Sequence, residues 1–270
     1  MTLMQGALDI GGLELGIAAS FVAAAGAVSV WNRLQLEKSL LIGSVRCVLQ
    51  LTAMGYLLRV IFGLDSLLMV LGLFTAMVAF AARIVRGNVK EQQVPFVIPS
   101  FLIMLAIYAV ISGMVTGVIV GAEPWWRPQY FIPLAGMVIG NSMTALSLSL
   151  DRLFSDLRSK REEVEMRLCL GATAEEASRH IIRDALKAGM MPSINSLTGV
   201  GIVFLPGMMT GQILAGSDPL LAIRYQIVVM FMIAASTALT VVAVLHIVRG
   251  RCFGPAQQPL LRPGHNQRLP

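Results

Sequence analysis

Charged side chains are scarce in this chain of 270 residues. Asp, Glu, Lys and Arg make up 13% of the sequence, whereas hydrophobic residues make up 56%. Soluble domains carry about 25% charged residues, so this composition excludes an ordinary soluble protein. The mean hydropathy of +0.74 agrees with that exclusion. The chain is therefore expected to lie in a membrane.

The sequence is also poor in the residues and motifs of catalysis. Three cysteines and three histidines are scattered along it, so neither a disulfide framework nor a metal-ligand cluster is expected. No GxxxxGK[ST] phosphate loop occurs, and HExxH, GxSxG and CxxC are missing as well. These absences predict that the chain is not an enzyme and binds no cofactor directly, so that any ATP it depends on is bound by another subunit.

Long apolar runs follow one another along most of the chain. A helix needs about 20 apolar residues to cross roughly 30 Å of hydrocarbon. The second run carries Arg46 and Gln50 and the sixth carries Asn195 and Gln212, so a count of six or eight spans stays open. The predicted fold is an all-α polytopic membrane protein with about seven transmembrane helices. The seven runs are about 11–31, 40–62, 67–85, 96–120, 131–150, 190–215 and 223–247.

The cations are distributed unequally between the two ends of these predicted spans. With the N-terminus outside, seventeen Lys and Arg residues fall on the cytoplasmic side, against one to three outside. This bias predicts a multi-pass protein of the cell (inner) membrane, with the N-terminus outside and the C-terminus cytoplasmic. The net charge of +6 then reflects orientation and contact with anionic membrane lipid, and no nucleic-acid partner is needed to explain it.

Composition divides the chain into four parts. Residues 1–149 hold spans one to five, and residues 150–189 form a charged segment. Residues 190–248 hold spans six and seven. The cytoplasmic tail, residues 249–270, is rich in Pro and Gln and is expected to be disordered.

The charged segment has the pattern of two helices joined by a tight turn. Eight acidic and eight basic residues lie between Asp151 and Lys187, interleaved with apolar residues at helical spacing. Gly171 can end the first helix, and Thr173 can cap the second, with Glu176 completing a capping box. The pattern predicts a cytoplasmic helix–turn–helix, although a merely solvated connector is an alternative interpretation.

Polar and sulfur-containing side chains within the apolar runs are candidates for a transport pathway. Arg46 and Gln50 share a face of span two that is expected to look into the bundle, unless Arg46 snorkels to the head groups. Pro206 followed by Gly207 predicts that span six kinks or unwinds. Thioethers suit a soft metal better than iron, and packing alone would also explain the methionines. The candidate pathway residues are Arg46, Gln50, Asn141, Met143, Pro206, Met208, Met209 and Gln212.

The charged segment also carries a motif. Glu165-x5-Gly171-x9-Ile181 is similar to the coupling signature of ABC-transporter permeases, EAA-x3-G-x9-I-x-LP. The similarity is incomplete, because Met-Arg at 166–167 replaces the alanine pair and Met-Pro at 191–192 lies too far downstream. In such permeases a short helix presses into a groove of the ATP-binding subunit and transmits its closure to the spans.

Four longer strings resemble the FetB family, which comprises bacterial permeases implicated in iron export and plant aluminium-tolerance relatives. The resemblance spans roughly residues 40–245 in order, and LPGMMTGQILxG is distinctive. The strings are RCVLQLTAMGYLL (46–58), PLAGMVIGNSMTALSLSLDRL (133–153), EVEMRLCLGATAEEA (163–177) and GIVFLPGMMTGQILAGSDPLLAIRYQI (201–227).

This resemblance implies a permease subunit of an ABC transporter, exporting iron or another metal ion with ATP hydrolysed by a separately encoded subunit. Seven spans are too few for a two-halved pathway, so a homodimer of the permease is expected. An ion-coupled secondary transporter and a non-transporting membrane scaffold stay open as alternatives. The residues expected to couple the chain to the ATPase are Glu165, Gly171, Ala172, Thr173, Glu176 and Ala177.

Overall fold

A computed structural model describes residues 11–64, 66–91 and 94–261. Every regular element in these ranges is helical. The helices are α1 (Gly12–Trp31), α2 (Glu37–Leu64), α3 (Leu67–Asn88), α4 (Val97–Met114), α5 (Pro128–Ser159), α6 (Arg161–Cys169), α7 (Ala174–Gly199), α8 (Gly207–Leu214) and α9 (Pro219–Arg251). A π-helical turn, Val115–Ile119, continues α4.

Six of the described helices are long and apolar enough to cross a membrane. They are α1, α2, α3, α4 with its π-helical turn, α5 and α9. Each coincides with one of the predicted apolar runs, and the predicted all-α polytopic membrane fold is confirmed. The remaining predicted run, 190–215, takes a different form.

Residues 190–215 do not form one helix. The run is divided between the end of α7, an irregular segment at 200–206 and the short helix α8. Gly201 adopts φ +84, and Pro206 stands as the N-cap of α8. Proline provides no backbone N–H and glycine enters the left-handed region freely, so both residues favour the break. The sequence therefore located the interruption, and within the described residues six helices, rather than seven, are long and apolar enough to span a membrane.

Helix α5 lies at the centre of the bundle and packs against α3, α4, α7 and α9. Small residues on its surface, such as Ala135 and Ala145, are fully buried and let neighbouring backbones approach closely. Aromatic contacts add to this packing. The rings of Phe131 on α5 and Phe74 on α3 meet edge to face, with centroids 5.5 Å apart.

The two ends of the bundle differ in composition. At one end, the α3–α4 loop meets the C-termini of α5 and α9, and Arg158 forms an ion pair with the buried Glu91. Arg251 donates a hydrogen bond of 2.6 Å to the Pro95 carbonyl at the same place. We call this the basic end, and α6 and the start of α7 belong to it. At the opposite end the π-helical turn meets the start of α9, where Ile119 and Leu221 line a small cavity.

Helices α1 and α2 form a hairpin that touches the other helices only lightly. Along α2 none of the membrane-length window is buried, and α2 packs mainly against α1. Arg46 and Gln50 are both exposed. The expectation that their face looks into the bundle is therefore wrong for this single chain, because no helix of the same chain covers α2 on that side within the described ranges.

The start of the tail is folded, contrary to expectation. Residues 249–251 belong to α9, and the chain then turns back so that Cys252 and Leu261 are buried. Arg161 on α6 donates a hydrogen bond of 3.0 Å to the Leu261 carbonyl. Composition alone missed this segment because its few apolar residues are placed where α6 and α9 leave a gap. Residues 262–270 lie outside the described ranges.

Glu91→Ala should destabilise the protein by about 3 kcal/mol, because it leaves the Arg158 guanidinium without its buried acidic partner. Thermal unfolding of the detergent-purified chain measures the loss. Glu163→Ala is the matched control, since its ion pair with Arg167, at 2.7 Å, is far more exposed, and its cost is expected to stay below about 1 kcal/mol. Equal losses in both variants would contradict the distinction between the two pairs.

Candidate functional site

A pocket of about 360 Å³ lies between α5, α7, α8 and α9. Two facing helices each contribute an amide and a thioether one turn apart. Met137 and Asn141 lie on α5, and Gln226 and Met230 lie on α9. Residues four apart share one face of a helix, so each pair presents both groups to the same space. Helix α8 adds the sulfur of Met208, and α7 adds two serine hydroxyls.

Gln226 is the most unusual residue of this pocket. Its side chain is 5% exposed, and its Oε1 atom has no hydrogen-bond partner among the described residues. A buried carbonyl oxygen without a partner is costly, so this atom calls for an explanation. Asn141 is oriented differently, because its Nδ2 donates a hydrogen bond of 2.8 Å to the Met137 carbonyl. Both amide oxygens are thereby left as acceptors.

Three of the eight candidate pathway residues line this pocket: Asn141, Pro206 and Met208. The other five do not. Met143 is two positions after the pocket residue Asn141, and Met209 is one position after Met208. Because successive residues of an α-helix are rotated by about 100°, both side chains lie on another side of their helices. Gln212, one turn beyond Met208 on the short α8, is also absent from the lining. Arg46 and Gln50 lie on the separate hairpin.

The residues of α9 were missed by sequence reasoning. Gln226 is a buried amide in a predominantly apolar helix, and the rule that a polar residue within a membrane helix marks function would have selected it. Met137 and Met230 offered no such signal, because methionine is ordinary in apolar packing. Their role depends on which helices meet, and that is not visible in the local sequence.

The turn between α6 and α7 has the predicted geometry. Gly171 adopts φ +93, and the N–H groups of Gly171 and Ala172 donate to carbonyls of the last turn of α6. Thr173 Oγ1 accepts a hydrogen bond of 3.2 Å from the Glu176 N–H, and Glu176 Oε2 accepts one of 2.9 Å from the Thr173 N–H. Both halves of the capping box are therefore formed.

This turn presents two large apolar side chains to the surroundings. Leu170 is 81% exposed, and Met166, one turn earlier on α6, is 58% exposed. We call these two residues the apolar knob. Large apolar side chains are seldom this exposed in a segment that is otherwise rich in charged residues.

The other residues predicted to take part in coupling differ in exposure. Glu165 is half-buried and accepts a hydrogen bond of 2.7 Å from Arg161 Nε, so it fixes α6 internally. Ala177 is fully buried, which corrects the expectation that it contacts a partner directly. It lies on the inner side of α7, because it follows the cap by one turn and faces the chain's own core.

Side chains of the tail and of the end of α9 form hydrogen bonds with the first turn of α7. Gln257 Oε1 accepts a hydrogen bond of 2.6 Å from the Ala174 N–H, one of the unsatisfied donors at the start of α7. Arg249 on α9 donates a hydrogen bond of 3.2 Å to Glu175. The first turn of α7 is thereby tied to the end of α9, and the apolar knob points away from both contacts.

Helices α5 and α7 approach most closely at Gly189. A Cβ atom at this position would overlap Ser149 Oγ and would lie 2.7 Å from the Ala145 carbonyl oxygen. Only glycine permits this backbone separation. Helix α7 therefore crosses α5 at a fixed point between the turn at Gly171 and the serines of the pocket.

The capping box makes the start of α7 sensitive to pH. Hydrogen bonds from the Thr173 backbone and hydroxyl lower the pKa of Glu176 below its ordinary value. A lowered pKa in the folded state adds stability above the ordinary pKa, and that stability is lost as the pH falls through the folded value. Helix α7 should therefore begin to fray at acidic pH.

Glu176→Gln tests this prediction, because the amide retains the shape but not the charge. Hydrogen exchange of the amides in the first turn of α7, corrected for intrinsic rates, should be faster in this variant than in the wild type at pH 7. The difference should be smaller at about pH 3, below the ordinary carboxyl pKa, and should disappear once the pH falls below the lowered pKa of Glu176 in the folded state. A difference of equal size at both pH values would contradict the role of the charge.

Comparison with known proteins identifies the chain's relatives. Residues 12–253 match the Uncharacterised protein family (UPF0014). The chain belongs to this family. It is 37% identical over 254 residues to the UPF0014 membrane protein slr1647 of Synechocystis, with 94% of this chain and 98% of that protein covered. No solved structure matches it.

Two further relatives carry more informative names. The probable iron export permease protein FetB of Escherichia coli is 32% identical, with 91% of this chain and 93% of FetB covered. Protein ALUMINUM SENSITIVE 3 of Arabidopsis thaliana is 31% identical, with 86% and 83% covered. The predicted resemblance to the FetB family is confirmed, and the chain is a membrane protein of a family whose named members include a permease.

Proposed function

We propose that this chain is the permease subunit of an ABC transporter and exports a metal ion with ATP hydrolysed by a separately encoded subunit. The observation that carries the proposal is the apolar knob, Met166 and Leu170, exposed beside the glycine turn at the basic end. The name of the FetB relative supports transport and its outward direction. The ATP is bound on the partner, and the permease holds no cofactor of its own.

The proposed orientation places the basic end in the cytoplasm and the N-terminus outside the cell (inner) membrane. Arg158, Arg251 and Arg249 then lie where cytoplasmic cations are favoured. The apolar knob would face the compartment that contains ATP. An ATP-binding subunit with a groove lined by apolar residues could receive both knob side chains, as amphipathic helices are received in other grooves.

Force would travel from the knob to the pocket through α7. This helix has 26 residues, Ala174–Gly199, and at 1.5 Å per residue it is about 39 Å long. Ser193 and Ser196 near its far end line the pocket. Because α7 rests on α5 at Gly189, a movement of the turn in one direction would move the pocket wall in the other. Access to the pocket would then alternate with the nucleotide state.

Two copies of the permease are expected in the complex. The hairpin of α1 and α2 leaves Gln50 exposed near the middle of α2. A glutamine side chain is too short to reach the head groups from there, and its amide would be poorly solvated by lipid. A homodimer that covers this face would supply the missing polar partners, and a pair of ATP-binding subunits would match it.

The test of the proposal is association with the ATP-binding subunit, detected at Cys169. This cysteine is exposed next to the apolar knob, whereas Cys252 is buried, with burial and the nearby Glu91 charge raising its pKa to about 12. Maleimide should therefore modify Cys169 and leave Cys252 unmodified in the free permease. Co-purified ATP-binding subunit should protect Cys169, and labelling of Cys47 on α2 should be unchanged.

Leu170→Glu is the variant that should lose association with the ATP-binding subunit. Truncating or charging a buried anchor of an interface costs about 2 kcal/mol or more, so co-purification should fall at least about thirtyfold. Lys187→Glu changes an exposed residue of α7 more than three turns beyond the cap at Thr173 and should leave association unchanged. Full protection of Cys169 in the Leu170→Glu variant, or none in the wild type, would overturn the coupling proposal.

A further inference from the structure

Three methionines line the pocket between α5, α7, α8 and α9, each from a different helix. Met137 comes from α5, Met208 from α8 and Met230 from α9. The two amide-bearing residues, Asn141 and Gln226, lie one turn from Met137 and Met230 respectively. Three thioether-bearing and two amide-bearing residues from three helices thus line one space.

The lining carries no charge. Among the described residues that form it there is no Asp, Glu, His, Cys, Lys or Arg. The described part of the chain also holds no group of three or more His, Cys, Asp or Glu residues that could bind a metal ion. A bare divalent or trivalent hard cation would lose its hydration here without gaining an anionic ligand, so the pocket disfavours such ions.

The lining suits a soft ion of low charge. Thioethers are soft ligands that select monovalent copper over hard cations, and a single charge needs less compensation than two or three. Gln226 lines the same pocket, and its buried Oε1 atom has no hydrogen-bond partner among the described residues. An amide oxygen in that state is available to complete a coordination shell.

We propose that Met137, Met208 and Met230, with the oxygens of Asn141 and Gln226, form a binding site for a soft monovalent cation of the Cu⁺ and Ag⁺ class. The inference rests on the proposed function, because it names the class of ion that the permease carries. It departs from the iron suggested by the name of the FetB relative. The ion enters as substrate and is held by neutral donors, so it can leave when α7 moves.

The experiment measures Ag⁺ binding to the detergent-purified full chain, without any ATP-binding subunit. Titration calorimetry in a chloride-free nitrate buffer avoids precipitation of silver. Cys47 and Cys169 are first blocked with N-ethylmaleimide, and Cys252 stays buried in every variant. The wild type is expected to bind about one Ag⁺ per chain, and Met137→Leu/Met208→Leu/Met230→Leu should weaken binding at least about tenfold.

A second triple variant controls for methionine content and packing. Met77→Leu/Met104→Leu/Met232→Leu removes the same number of thioethers from positions packed in the helix core, and its Ag⁺ affinity should equal that of the wild type. Gel filtration and thermal unfolding establish that both variants are folded. Gln226→Leu in the wild-type background should weaken Ag⁺ binding, whereas Gln226→Glu should strengthen it.

Three outcomes would overturn the inference. The wild type could fail to bind Ag⁺, the pocket triple variant could bind it as tightly as the core triple variant, or anaerobic Fe²⁺ or Al³⁺ could bind saturably at the pocket. The last outcome would indicate a hard-cation site. Because no ATP-binding subunit is present, each result is independent of the Cys169 protection experiment, and failure of one proposal is distinguishable from failure of the other.

Discussion

Gly171→Trp is expected to abolish ATP turnover of the complex while leaving the membrane helices folded. Gly171 lies at the tip of the turn with φ +93, and no atom lies within 4 Å of the position that a Cβ would occupy. An indole at this site would therefore fit within the free permease but would project beside the apolar knob. There it would prevent Leu170 from entering a groove on the ATP-binding subunit.

The matched control is Gly216→Trp, located between α8 and α9. Gly216 has φ +91 and equally open surroundings, so the backbone strain of about 1–2 kcal/mol should be the same in both variants. Only the Gly171 variant should lose partner-dependent ATP hydrolysis, measured by phosphate release in reconstituted vesicles. Equal loss in both variants would show that strain is the cause, and full turnover in the Gly171 variant would remove the coupling assignment.

Gly189→Ala is expected to have the largest effect within the bundle. The added methyl group would overlap Ser149 Oγ and press against the Ala145 carbonyl, so α7 could no longer rest on α5. Overpacking of this kind costs about 1–3 kcal/mol. Thermal unfolding should show that loss, and partner-dependent ATP turnover should fall with it because the crossing point is displaced.

Gly140→Ala on α5 supplies a control with the opposite sign. No atom lies within 4 Å of a Cβ at that position, and alanine is favoured over glycine in a helix by about 1 kcal/mol. Stability should therefore rise or stay the same. Adding Ser149→Ala to Gly189→Ala removes one of the two overlaps and should restore part of the stability. A Gly189→Ala variant as stable as the wild type would contradict the close crossing.

Local sequence signals were sufficient for the turn at the basic end. The glycine, the capping threonine and the glutamate three residues later act over a single turn of backbone, so their geometry depends on little beyond neighbouring residues. The same is true of the break around Pro206, where Pro206 lacks an N–H and Gly207 lacks a side chain. The lengths of the apolar spans could be predicted equally well, because the thickness of the bilayer sets them.

The pocket could not be predicted from local sequence in the same way. Met208 and Met209 have the same chemistry. Only the rotation of α8 about its axis, relative to α5 and α9, determines which of the two lines the pocket. Gln226 contributes because α9 returns along α7, and this pairing is set by packing over a long sequence separation. The polar face of α2 is exposed, and no helix in the described part of the chain covers it.

The bonds that tie the start of α7 to the end of α9 have a consequence for how the pocket opens. Glu175 is held by Arg249, and Ala174 is held by Gln257. In the proposed mechanism a pull on the turn would displace α7 and α9 together, and the wall that bears Gln226 would travel with the wall that bears the serines. Helix α5 would stay in place, so the ion would be released when Met137 and Asn141 separate from the remaining ligands.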